Sequence, residues 1–171
     1  MAIANTTQVL VDSNKKVVIK RVGLLDSDEN ETIFINPLTL SGALNANGLP
    51  YQTGNTLPSG FANSAFTVSR VIASVDAEAG NLQLSWKGST TSTPIVAYGV
   101  GFHDSNPQYQ LPSIKNDAVG PTGDITIKTI GTTANAAYTL IIELHKNNQF
   151  YSSGQFTDPA AFNYPPFGIT P

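Results

Sequence analysis

The sequence predicts an all-β fold, an antiparallel β-sandwich of jelly-roll type with about eight strands, and three observations lead there. Apolar residues recur at every second position in short runs. Leu82, Leu84 and Trp86 share one face with Gln83, Ser85 and Lys87 on the other, and Tyr138, Leu140, Ile142 and Leu144 repeat the pattern. The runs are bounded by Gly, Pro, Asn and Asp, which turn a chain rather than continue it. No window sustains helical spacing with a cap at one end; the best candidate, residues 37–44, is short and interrupted by Gly42.

Taken in order, residues 8–11 and 16–22 read as a hairpin, joined by Asp12-Ser13-Asn14-Lys15, whose Asp and Asn can bond their own backbone in a turn. A second turn, "DSDENE", leads into a strand at 32–35. Further strands are expected at 66–75, 82–86, 95–100, 124–130 and 138–145. Residues 1–146 thus form one sandwich domain, a size that supports a real core. Two segments stand outside it. Residues 36–64 form an irregular insertion longer than an ordinary loop, expected to lack regular pairing and to become ordered on a partner. Residues 147–171 form a non-periodic arm rich in proline and aromatics, and such a density of aromatics marks a segment that lies on a surface. Partner contacts are therefore expected at Tyr51 in the insertion and at Phe150, Tyr151, Phe156, Phe162, Tyr164 and Phe167 in the arm.

Composition excludes several classes of function. Charged residues are 12% of the chain against a usual value of about 25%, so the surface is polar but mostly neutral. The net charge is −3 and the only basic groupings are Lys15–Lys16 and Lys20–Arg21, which gives nucleic acid nothing to bind. Cysteine is absent, which removes disulfides and thiolate metal sites. No run approaches the ~20 apolar residues of a membrane helix, and no signal peptide opens the chain, so neither membrane insertion nor standard secretion is expected.

Candidate chemistry is sparse. "VGFHDSNP" sets His103, Asp104 and Ser105 side by side, the residue types of a hydrolytic relay, but adjacent residues of an extended chain point to opposite faces and do not converge. The stretch reads as a polar loop leaving a strand. "DSDENE" offers Asp26, Asp28 and Asn30 at the opening spacing of a calcium loop, yet Glu31 and Pro37 stand where that pattern needs glycine and a bidentate carboxylate, so an acidic turn is the better reading. Glu143 and His145 lie two apart on the face opposite Leu140, Ile142 and Leu144, a solvated strand face. Gly99 and Gly101 lack the third glycine and the helix of a phosphate cradle and suggest a bulge or close backbone approach. Trp86, in phase with Leu82 and Leu84, is expected in the core. No catalytic, metal or cofactor residues are assigned, and no enzyme activity is expected.

Three stretches carry a resemblance: "NTTQVLVDSNKKVVIKRVG", "AGNLQLSWKGST" and "GPTGDITIKTIGTTANAAYTLIIELHK". In order and spacing they resemble a family of small virion structural proteins of tailed bacteriophages, especially those of marine and cyanobacterial hosts, over residues 5–146. The resemblance implies a β-sandwich capsid cement or decoration protein, made in the host cytoplasm and bound to the capsid surface across capsomer boundaries. It implies the major capsid protein as partner and brings no catalytic or cofactor residues; whether the chain is also a homo-oligomer stays open at this point. A tail, neck or fibre-associated component of the same virion is the alternative, followed by a carbohydrate-binding sandwich. The insertion at 36–64 and the arm after Lys146 depart from the family pattern.

Overall fold

The computed structural model describes residues 2–105 and 116–152. Nine strands are found among them: β1 (Ala2–Asp12), β2 (Lys16–Leu25), β3 (Thr32–Ile35), β4 (Phe66–Val75), β5 (Asn81–Gly88), β6 (Ser92–Tyr98), β7 (Gly101–Ser105), β8 (Pro121–Ile130) and β9 (Ala136–Lys146). They form two antiparallel sheets, one of order β1-β2-β9-β4-β7 and one of order β3-β8-β5-β6. The pairs β2–β9, β3–β8, β4–β7 and β5–β6 are nested one inside the next along the chain, which is the rolled ribbon of a jelly roll, with β1 added outside β2.

The two-residue alternation puts the core where the sequence placed it. Leu82, Leu84 and Trp86 of β5 and Ile125 and Ile127 of β8 face Val17, Ile19, Val71, Ala73, Leu140, Ile142 and Leu144 of the other sheet, all at most 3% exposed. Trp86 packs its ring 5.8 Å from that of Phe66. Burying such side chains contributes about 1.5–3 kcal/mol each and is what holds two sheets face to face.

Several expectations need correction. The hairpin between β1 and β2 forms, but Ser13 closes it: its hydroxyl accepts from the amides of Lys15 (3.3 Å) and Lys16 (3.1 Å) and donates to the Lys16 carbonyl (3.0 Å). The stretch "GFHDS" is not a loop but strand β7, paired with β4 from Val71↔Ser105 to Val75↔Gly101. Gly101, at φ 119°, permits the short link that carries the chain from β6 in one sheet to β7 in the other.

The insertion also packs on its own domain. Residues 37–39 form a 3-10 turn capped by the Asn36 side chain, and Phe61–Ser64 form a one-turn helix, α1. Leu40, Ala43 and Phe61 are buried, and the backbone pairs Ala43 with Tyr151 and Leu44 with Pro50. The insertion is irregular, as expected, with two isolated bridges, but the expectation that its order awaits an external partner is overturned: it packs against residues 150–152 of its own chain. The same contacts move the edge of the domain, since Phe150 and Tyr151 belong to the body and not to an arm starting at 147.

Candidate functional site

On β7 the three residues of the apparent relay go separate ways. Asp104 lies on the outer face, where Arg70 of β4 donates to both carboxylate oxygens at 2.9 and 2.7 Å. That guanidinium holds the Asp104 carboxyl below its ordinary pKa. His103 turns to the other face, stacks on Tyr98 with ring centroids 4.9 Å apart, and places Nε2 2.9 Å from the Gly99 carbonyl. Ser105 is buried on that side. Strand alternation thus separates the carboxylate from the imidazole, as adjacency along an extended chain requires.

The acidic turn between β2 and β3 is likewise dispersed. Asp28 accepts the backbone N–H of Thr132 at 2.7 Å, Glu31 accepts from the hydroxyls of Ser92 and Thr126, and Glu29 turns inward. Each hydrogen bond lowers the pKa of the exposed carboxyl it reaches. Among the described residues no three His, Cys, Asp or Glu side chains form a group suited to a metal ion. Glu143 sits on the outer face of β9, 3.5 Å from both Lys16 and His145, which is the solvated strand face expected.

Glu29 leads to a buried network that the sequence reading did not assign. Its carboxylate pairs with Arg21 of β2 and accepts the phenol proton of Tyr138 of β9 at 2.6 Å; Arg21 Nε donates to the same phenol oxygen at 2.9 Å. Asn5 (3.0 Å) and Thr32 (3.2 Å) also donate to Glu29, and Arg21 Nη1 reaches the Thr7 hydroxyl at 3.2 Å. Burial, and then the carboxylate, push the Tyr138 phenol far above its ordinary pKa. Burial works against the Arg21 charge, and Tyr138 and Glu29 outweigh it. Gly23, opposite Tyr138 in the ladder, makes the network possible, because a Cβ there would stand 2.2 Å from the Tyr138 ring. Three residues from β2, the β2–β3 turn and β9 are thereby tied together by buried, charge-assisted hydrogen bonds. Arg21 and Glu29 also line an open hollow of about 700 Å³, together with Asn5, Asp28, Asn30 and Thr132. One signal was available: Arg21 continues the inward phase of Val17 and Ile19.

A second cluster ties the insertion to the end of β9. The Lys146 ammonium, fully buried, bonds Asp12 of β1 and the Ser41 carbonyl (2.8 Å) and lies 4.8 Å from the Tyr151 ring centroid. Tyr151 donates its phenol proton to the Pro37 carbonyl at 3.0 Å, and burial, with the nearby Asp12 charge, raises its pKa. Phe61 meets Phe150 edge-on at 5.6 Å and Tyr151 at 6.1 Å. Of the residues expected to contact a partner, Phe150 (6% exposed) and Tyr151 (1%) are therefore core, because Phe61, Pro37 and Lys146 already enclose them. Tyr51 is partly buried against the same core. Phe156, Phe162, Tyr164 and Phe167 lie outside the described residues.

No family model matches the chain, and no curated protein does. Among solved structures it is similar to a cupin domain from Bordetella pertussis Tohama I, with TM-score 0.32 and 8% identity over 84% of this chain and 94% of that one. It is also similar to an uncharacterized conserved protein with a double-stranded β-helix domain from Klebsiella pneumoniae, with TM-score 0.30 and 11% identity over 85% of this chain and 80% of that one. The jelly roll is read from the strand order of the chain itself.

Proposed function

We propose that the protein is a non-enzymatic structural component of a tailed-phage virion, a cement or decoration protein that binds the major capsid protein on the outer shell across capsomer boundaries. The observation that carries this reading is the anchored end of the described body. Phe150 and Tyr151 are fixed in the body, and the Ser152 amide is bonded to the Gly42 carbonyl at 2.7 Å, so residues 153–171, with four aromatics and four prolines, start from a rigid anchor. A rigid origin reduces the freedom an arm loses on docking, and a symmetric shell repeats the docking site many times, so modest contacts add up. The three resembling stretches support the same reading, since they fall on β1–β2, β5 and β8–β9, the ribbon of the jelly roll.

The test is a chain ending at Ser152, which keeps the anchor intact. It is expected to melt with the full chain yet no longer cosediment with phage capsids. Retained capsid binding by the shortened chain would remove the arm from the mechanism. Densitometry of purified virions separates the cement reading from a tail component: near-equimolar amounts with the major capsid protein are expected, and a few tens of copies would favour the tail.

A further inference from the structure

The chain has four sheet edges among the described residues, and three are guarded. β3 has only four residues, β7 only five, and β6 carries Pro94. Short strands and proline are the usual protection against edge pairing. β1 has none of these features. It runs for eleven residues, has no charge and no proline from Ala2 to Val11, and is exposed on both faces from Ala4 to Val11. Its ladder with β2 is regular from Ala4 to Val9, with shifts only beyond those residues, so this stretch of its free edge offers an even row of backbone donors and acceptors.

We infer that this edge pairs with the β1 of a second copy of the chain, antiparallel about a two-fold axis at Thr7, joining two five-stranded sheets into one of ten. Thr7 is the midpoint of Asn5–Val9, within the regular stretch. The pairing sets Thr7 against Thr7, Thr6 against Gln8 and Asn5 against Val9 of the second copy. Hydroxyls and amides thus meet each other on the outer face near the axis. Charge favours the same arrangement. Asp12 is the first charged residue of β1 and lies five positions from the axis, so the two copies of it stand roughly 30 Å apart, well beyond the screening length in physiological salt. The residues after Ser152 are a poorer occupant: Pro159, Pro165, Pro166 and Pro171 cannot donate to a ladder. This pairing is a property of the free chain and does not rest on attachment to a virion.

Sedimentation of the full chain tests it. A closed dimer is expected. Thr6→Lys with Gln8→Lys places like charges opposite each other twice and should weaken the dimer by about tenfold or more; Thr6→Glu with Gln8→Glu should do the same. Mixing the two variants should restore a dimer, which also shows that each is folded. A monomeric wild type, variants that stay dimeric, or no rescue on mixing would overturn the proposal. Open-ended oligomers would point instead to β1 pairing with β7, and protected β1 amides in a monomer would give the edge to the chain's own residues.

Discussion

β1 and β9 are strands of equal length in the same sheet, eleven residues each, and they are used in opposite ways. Along β9 alternate residues from Ala136 to Leu144 are buried, and Leu140, Ile142 and Leu144 are fully enclosed. Along β1 the side chains from Ala4 to Val11 are exposed, with Val9 at 53% and Leu10 at 45%. Apolar content does not explain the contrast. Place in the sheet does: β9 is third of five strands and faces the opposite sheet, whereas that sheet has only four strands and β1 overhangs it. β1 holds to the body through its ladder with β2 and through polar hooks, Asn5 on Glu29 and Thr7 on Arg21. The difference teaches that a strand can be kept for its edge rather than for its faces.

Substitutions on the two strands sharpen the contrast. The largest effect is expected from Leu140→Ala on β9, a loss of about 2–5 kcal/mol in denaturant unfolding, because the site is enclosed and cannot collapse fully. Tyr138→Phe, also on β9, should cost about 1–3 kcal/mol by leaving Arg21 and Glu29 short of a buried partner. It carries a pH signature as well. The folded-state pKa of Tyr138 is raised above its ordinary value of 10.0, so its contribution is fully present below that pH and is lost as pH rises through the folded value. Wild-type melting temperature should therefore fall more steeply above pH 10 than that of the Phe variant. The smallest effect is expected from Val9→Ala on β1, within about 0.5 kcal/mol when measured on dilute protein. A cost well above 1 kcal/mol there would break the comparison, since it would mean that β1 is covered in the single chain.

How far the sequence was legible follows from the range of the interactions involved. Strands β2, β4, β5 and β9 announce themselves because their alternation is local, and Trp86 could be assigned to the core from its phase with Leu82 and Leu84. β7 was not visible, since Phe102 and Asp104 face out while His103 and Ser105 face in, leaving neither face uniformly apolar. The buried triad was hidden for another reason: Glu29 sits in a turn rich in acid, and its partner Tyr138 is 109 residues away. Phe150 and Tyr151 read as an arm because the residues that bury them, Phe61 and Pro37, lie far back in an insertion without periodicity. Patterns with a two-residue period survive in a linear reading; partnerships across the roll do not.

The ion pair between Lys146 and Asp12 sets a timetable for synthesis. Its two ends are 134 residues apart, and at translation rates of about 5–20 residues per second the interval between them is on the order of ten seconds. The β1–β2 hairpin can form as soon as it emerges, but β2 pairs inward with β9, so throughout that interval the nascent hairpin has both edges open. When residues 136–152 arrive, they fill the ladder, pin Asp12 and seat Tyr151 together. A chain cut short before that point keeps open the very edge of β2 that β9 would have covered, and an open edge of that length invites pairing with other chains rather than giving a smaller working version of the protein.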